Sequence, residues 1–350
     1  MTNLQVRVPS KASFDVTNRV TSFQDRGFAF ETFPIGWFQV GWSDEFPIGE
    51  AKALSYFGDQ QVAFRGESGN MHVFVAFCPH LGGHLGHGGT VHEDSIVCPF
   101  HGWRFDSSGA NVEIPYSKDC SRRSLTPWEV RENAGAVFVW YHPNKNPPSW
   151  ELPDPVVKEW VDSSFHHPFP HSVQCREIFA PPQWVVENAI DVYHLQYVHR
   201  TPPPTGWAMR EADPDRPQYL AIDIDAVFDT PRGLTEIKGL NEVYGLGLVV
   251  NHLDGLLPTG QMQCVTPIDH TRSHIRFSIF VPCQPGDARE DAPSSVSKAV
   301  VDAEMYELYG PDRDFPIWEN MRYRDRPSLT KEEAELYGGF RRWIRQFYIR

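Results

Sequence analysis

The sequence predicts an α+β protein: an all-β domain in front, then a second domain of one antiparallel sheet with packed helices. Three observations predict it. Residues 33–141 break into short apolar runs punctuated by Gly, Asp, Asn and Pro; HPNKNPPSWELPDPV (142–156) carries five prolines in fifteen residues; and longer strand-like runs followed by a helical stretch fill the rest. The expected units are an N-terminal extension (1–32), an all-β domain (33–142), a Pro-rich linker (143–156) and a second domain (157–350). A chain of 350 residues that is 41% hydrophobic and 13% aromatic can bury a substantial core, which excludes disorder. A net charge of −13 argues against nucleic acid and anionic membrane surfaces as partners. No apolar run approaches the ~18 residues that a spanning helix needs. The start, MTNLQVRVPSKASFDV, lacks the apolar stretch of a secretory signal, so a cytoplasmic chain is expected.

In the front domain GWFQVGW (36–42), QQVAFR (60–65), MHVFVAF (71–77), DSIVCPF (94–100) and AVFVWYH (136–142) read as strands. After the linker, SVQCREIF (172–179) reads as a strand, and PPQWVVENAIDVYHLQYVH (181–199) as a helix whose Pro pair suits the first turn. Longer strands follow at 219–228, 233–240, 244–253, 261–268 and 273–282. SSVSKAVVDAEMYELYG (294–310) and KEEAELYGGFRRWIRQFYI (331–349) have helical patterning. Six cysteines are too sparse for a disulfide scaffold. Cys175 and Cys264, in strand-like runs, are expected to be small buried hydrophobes.

Cys78 and Cys98 are different. Cys78-Pro79-His80 is separated by seventeen residues from Cys98-Pro99-Phe100-His101, so each loop offers one thiolate and one imidazole. A Rieske-type [2Fe–2S] centre needs two thiolates on one iron and two imidazoles on the other. The Gly-rich stretch 81–89 would let backbone approach the sulfides, and the two prolines stiffen the loops. The competing reading is a Cys₂His₂ zinc site, but such sites usually pair Cys with Cys and His with His along the chain. His84, His87 and His92, between the loops, are read as solvated. This segment resembles that of the Rieske non-heme iron oxygenases, which share C-x-H, some seventeen residues, then C-x-x-H.

A second constellation follows the linker: Glu187, Asp191, His194 and His199. Oxygen-activating non-heme Fe(II) is held by two imidazoles and one carboxylate with open positions left over. On a straight helix, residues five apart point about 140° apart. His194 and His199 can therefore reach one metal only if the helix distorts or ends between them, as the nearby Pro202-Pro203-Pro204 suggests. Asp191, one turn before His194, is better placed as its supporting partner than as the third ligand. Two structural histidines on an aromatic-rich helix is the competing reading of this segment alone.

Rieske oxygenases carry this arrangement, and the chain is most similar to their steroid branch, typified by the oxygenase component of 3-ketosteroid 9α-hydroxylase. There the third iron ligand opens a D-x-x-I-W motif with R-R-W…F-Y soon after; here these are Asp314-Phe-Pro-Ile317-Trp318 and Arg341-Arg342-Trp343…Phe347-Tyr348. The resemblance implies Asp314 as the ligand, with Asp312 the alternative. It implies Asp191 as the bridge to a Rieske histidine, His101, of a neighbouring subunit in a homotrimer. It implies a helix-grip-like catalytic domain, and a terminal oxygenase that uses O₂ to oxidise a C–H bond, with hydroxylation favoured over desaturation or demethylation. Electrons from NAD(P)H would come through a separate reductase, with or without a ferredoxin, since no G-x-G-x-x-G opens a βαβ unit here. The expected substrate is a hydrophobic steroid or sterol, supported by the apolar runs Leu246–Val250 and Leu253–Leu257; an aromatic acid or an O-/N-methyl compound is the alternative. Gln263 falls where the steroid hydroxylases have Asn near the iron. The rival from another class is a Rieske electron-transfer protein with a ligand-binding domain.

Overall fold

The computed structural model describes residues 21–153, 157, 164–230, 233–255 and 257–349. Most of the expected N-terminal extension and part of the expected linker lie outside them.

The front domain is built from three small antiparallel sheets. One pairs β1 (Gly36–Trp42) with β10 (Ala136–Tyr141) and β9 (Val130–Asn133); the second is β2 (Ala51–Tyr56), β3 (Asp59–Arg65) and β4 (Met71–Val75). The third runs β5 (Thr90–His92), β6 (Ser95–Val97), β7 (Arg104–Phe105) and β8 (Asn111–Glu113). Two-residue turns close the first two: Ala134-Gly135 and Phe57-Gly58 all have positive φ, which matches the right-handed twist of a tight hairpin. Phe57 is held in that conformation by stacking on Tyr141, ring centroids 4.3 Å apart.

Behind them stands one seven-stranded antiparallel sheet in the order β11 (Val173–Ile178), β17 (Ser273–Phe280), β16 (Pro258–Pro267), β15 (Leu248–Asp254), β14 (Gly233–Tyr244), β13 (Tyr219–Thr230) and β12 (Gly206–Met209). Side chains alternate across a strand, and the sequence uses both faces. Val243, Val249, Val265, Ile275 and Phe277 join Trp184, Ile190, Phe315 and Phe340 in the core under the helices. Tyr244, Leu248, Val250, Met262, Cys264 and Phe280 pack instead on Trp37, Phe138 and Trp140 of the front domain. Arg276 seals that contact: fully buried, it donates to the carbonyls of Gln39 (3.1 Å) and Val40 (3.3 Å). The helices α1 (Pro182–Glu187), α2 (His194–Tyr197), α3 (Ser295–Tyr309), α4 (Asp314–Asn320) and α5 (Lys331–Trp343) cover the other face.

Three expectations are corrected. The single helix over 181–199 is two short ones, because hydrogen bonding loosens into turns from Asn188 to Tyr193. Cys264 is buried, but Cys175 is exposed, on the edge strand β11. The run Leu246–Val250 divides between the two cores instead of lining one pocket, as strand alternation requires. Residues just before β1 also belong to the rear: Phe23 and Phe28 pack beside Trp184, and Arg26 donates to the carbonyls of Trp318 (2.6 Å) and Met321 (2.8 Å).

Candidate metal centres

The two front loops are copies of one turn. Cys78 N–H donates to the Gly83 carbonyl (2.9 Å) while Gly82 N–H returns to the Cys78 carbonyl (2.9 Å). Likewise Cys98 N–H donates to Trp103 (2.8 Å) and Gly102 N–H returns to Cys98 (3.0 Å). Each turn needs a residue in the left-handed region, supplied by Gly82 (φ +74) and Gly102 (φ +70). A Cβ on Gly83 would stand 3.3 Å from the Cys98 sulfur, so the bare backbone there keeps the space around the thiols open.

The folding of these loops brings both thiols together and both imidazoles together. Burial, then the neighbouring Cys98 thiol, pushes the Cys78 thiol up to about 11. The rings of His80 and His101 lie 4.7 Å apart at 66°. His80 stacks flat on Trp103 at 4.5 Å, and Trp103 Nε1 donates to the Tyr116 hydroxyl at 2.8 Å. His101 Nδ1 is buried with no hydrogen-bond partner among the described residues, which suits a nitrogen whose lone pair is meant for a metal. Two thiols beside two imidazoles fit a sulfide-bridged iron pair. Of the intervening histidines, His87 and His92 are exposed, whereas His84 is half-buried, its Nδ1 accepting from Gly86 N–H at 3.1 Å.

The rear site is assembled from three places in the chain. Ligand atoms of His194, His199 and Asp314 all lie within 4.8 Å of one another. His194 opens α2, and His199 lies beyond its end, so the helix does stop between them; it also breaks ahead of His194. Asp314, the first residue of α4, brings one oxygen 3.2 Å from His199 Nε2 and the other 3.9 Å from His194 Nε2. Both Nδ1 atoms face away: that of His194 meets the Asp191 carbonyl, and that of His199 lies 2.9 Å from the Glu307 carboxylate. This arrangement fixes the tautomer and turns both Nε2 atoms inward. Arg313 grips Glu307 through two bonds (2.8 and 3.0 Å), and Asn188 Nδ2 donates to Asp314 (2.9 Å). Burial works against charge on His199, yet Asp314 and Glu307 push its ring up to about 9. Burial alone would raise the Asp314 carboxyl, but the two histidines and Asn188 hold it below the usual range. The site is therefore built to stabilise positive charge, and two imidazoles with one carboxylate suit ferrous iron.

Asp191 stands apart from these ligand atoms. Its carboxylate accepts from the backbone of Tyr193 (3.1 Å) and His194 (3.3 Å), and its side chain keeps 21% exposure. Asp312 is turned outward into pairs with Arg200 (2.8 Å) and Arg313 (3.1 Å). Gln263 faces the helices from the same side of β16 as Thr259 and Gln261. Sequence reading missed Glu307, Arg313 and Asn188, which nothing in their local pattern marks. Trp103, two residues after His101, could have been suspected. The R-R-W stretch has a structural role: Arg341 pairs with the buried Glu187 (2.8 and 3.1 Å), tying α5 to α1. Breaking such a buried pair by removing one partner costs on the order of 3–5 kcal/mol.

Comparison with known proteins meets this geometry. Residues 36–129 match the Rieske [2Fe-2S] domain, and residues 139–348 match the 3-ketosteroid 9alpha-hydroxylase C-terminal domain. Cholesterol 7-desaturase nvd 1 of Ciona intestinalis is 30% identical over 90% of this chain and 69% of its own length. A 3-ketosteroid-9-alpha-monooxygenase oxygenase component of Rhodococcus rhodochrous is 28% identical over 91% of this chain and 82% of its own. Among solved structures, dicamba monooxygenase bound to 3,6-dichlorosalicylic acid shares the fold (TM-score 0.70, 16% identity, 90% of this chain, 98% of that one). The terminal oxygenase of carbazole 1,9a-dioxygenase from Novosphingobium sp. KA1 does too (TM-score 0.61, 17% identity, 91% of this chain, 95% of that one). The chain is thus a Rieske-type oxygenase, an oxidoreductase related to steroid 9α-hydroxylases and sterol desaturases, and belongs to the family defined by the 3-ketosteroid 9α-hydroxylase C-terminal domain.

Proposed function

We propose that this chain is the terminal oxygenase of a multicomponent monooxygenase acting on a C–H bond of a steroid or sterol. Cys78, Cys98, His80 and His101 hold the [2Fe–2S] cluster, and His194, His199 and Asp314 hold a single Fe(II). When bound, these groups supply one-electron transfer and the activation of O₂. The observation that carries the reading is the convergence of two histidine Nε2 atoms on Asp314, with both Nδ1 atoms already engaged by Asp191 and Glu307. Asn188 orients Asp314, and α4 presents it from a buried position, which keeps bulk water from the ligand atoms.

Asp191 serves as the bridge to His101 of a neighbouring subunit in a homotrimer: its carboxylate is partly exposed beside His194, where another chain can reach it. Head-to-tail contacts of this kind close naturally into rings. Electrons derived from NAD(P)H come from a separate reductase. The name "oxygenase component" borne by a relative, and the solved complex of a carbazole oxygenase with a ferredoxin, support a separate donor. Hydroxylation is the favoured outcome, and the sterol desaturase among the relatives makes desaturation the nearest alternative.

The test is iron stoichiometry joined to turnover. The intact protein is expected to hold three irons per chain; His199→Ala is expected to hold two, keep the visible spectrum of the cluster, and form no product from a panel of steroids and sterols. Product formation by His199→Ala at the unaltered rate would show the mononuclear assignment to be wrong.

A further inference from the structure

On the helix-covered face of the large sheet, one cross-strand row is amide where the adjoining Leu220, Val243 and Val249 are apolar. Asn241 of β14 lies opposite Asn251 of β15, which lies opposite Gln261 of β16. Glu304 of α3 anchors the row, accepting from Gln261 Nε2 (3.1 Å) and from the Thr259 hydroxyl (2.8 Å). The anchor sets the direction of everything beyond it. With its N–H₂ taken by Glu304, Gln261 turns its carbonyl to Asn251, whose Nδ2 donates to it at 3.1 Å. Asn251 Oδ1 is thereby turned away from Gln261, and it is buried with no hydrogen-bond partner among the described residues. The polarity holds in either protonation state of Glu304, because a protonated carboxyl keeps an acceptor oxygen for the amide. At the far end Asn241 Nδ2 donates to the Ala189 carbonyl at 2.8 Å. Ala189 follows Asn188, which touches both His194 and Asp314, so the row runs up to the segment that supports the rear site.

A buried, fixed acceptor calls for a donor. We propose that Asn251 is the polar end of the substrate site and accepts a hydrogen bond from a hydroxyl of an otherwise apolar polycycle, so that this chain selects a hydroxylated sterol over the matching ketone. A ketone oxygen would face Oδ1 acceptor to acceptor, and a site built around one hydrogen bond discriminates most strongly against the analogue that cannot make it. The proposal rests on the steroid or sterol reading above.

The test is equilibrium binding of the holoprotein, in cyclodextrin-carried solutions, to three probes: cholesterol, its 3-methyl ether and cholest-5-en-3-one. Cholesterol is expected to bind about tenfold tighter than either probe that cannot donate, as one net hydrogen bond implies. Asn251→Leu is expected to remove that preference by weakening cholesterol alone, and the ligand-side comparison stands even if this variant does not fold. Equal affinity of the wild-type protein for all three overturns the proposal and leaves the steroid reading intact. Binding of none of them overturns both.

Discussion

The two candidate centres sit in the same chain but are put together in opposite ways. At the front, all four side chains come from residues 78–101, and each loop folds its own Cys and His into place through the same pair of backbone hydrogen bonds. At the rear, His199 is fixed by a residue 108 positions away and Asp314 by one 126 positions away. Local geometry makes the front site; packing of α1, α3 and α4 on the sheet makes the rear one. A centre of the first kind should fail only when its own loops are damaged. A centre of the second kind should respond to changes in supporting groups that touch no metal.

The largest expected effect separates two carboxylates only two residues apart. Asp314→Asn is expected to abolish turnover, lowering kcat at least a thousandfold, and to cut iron from three to two atoms per chain while the cluster absorbance stays. Asp312→Asn gives up an exposed pair with Arg200 and keeps a side-chain oxygen for the buried Arg313, so turnover is expected to stay within about threefold. Metal analysis and steady-state kinetics on both variants check this. Equal loss in the two would break the contrast between the proposed ligand and its outward-facing neighbour.

The supporting shell should show a graded loss. Glu307→Gln keeps the volume but surrenders the charge that orients His199, and loss of such a partner typically weakens metal affinity by 10–100-fold. Turnover is then expected to recover as Fe(II) in the assay is raised, which distinguishes weakened binding from lost chemistry. The front centre offers the control: cluster absorbance should not change in this variant. If added Fe(II) restores nothing, Glu307 has some function other than holding the ring.

The same contrast explains how much was legible in the sequence. The front set of two Cys and two His was readable as a group because sequence neighbours remain spatial neighbours there. The strand runs were readable for a related reason: each carries its own β-branched and aromatic residues between turn signals, as in AVFVWY of β10 and LVVNHL of β15. His194 and His199 were readable only as a pair needing a broken helix, and Asp314 only through resemblance. Glu307, Arg313 and Asn188 carried no local signal, since an ion pair across 108 residues leaves no spacing to recognise. The break at Asn188–Tyr193 was invisible for the converse reason. Apart from Ala189 its residues are weak helix formers, too slight a signal to place a break, and the loops are stabilised by tertiary bonds, such as Asn241 to the Ala189 carbonyl.

Glu304 gives an effect on stability and not on turnover, and the sharpest sign. It lies on α3, three residues before Glu307, so one helix is held to the sheet by the first carboxylate and to His199 by the second. Burial pushes the Glu304 carboxyl up to about 7 from its ordinary 4.5, the bonds from Thr259 and Gln261 only partly opposing the rise. A raised acid favours the protonated fold. Below about pH 4.5 both folded and unfolded chains carry the proton and Glu304 is neutral in its effect. Between there and pH 7 the unfolded chain ionises while the folded one resists, and stability falls by about 3 kcal/mol before levelling off. Glu304→Gln has no such titration and keeps an acceptor for Gln261, so its stability relative to the parent should climb by about that amount from pH 4.5 to 8. Denaturant unfolding of both proteins across this range, followed by tryptophan fluorescence, reads the difference. A flat difference would mean that water reaches α3 from the sheet side, and that the rear site is less enclosed than the packing of its helices implies.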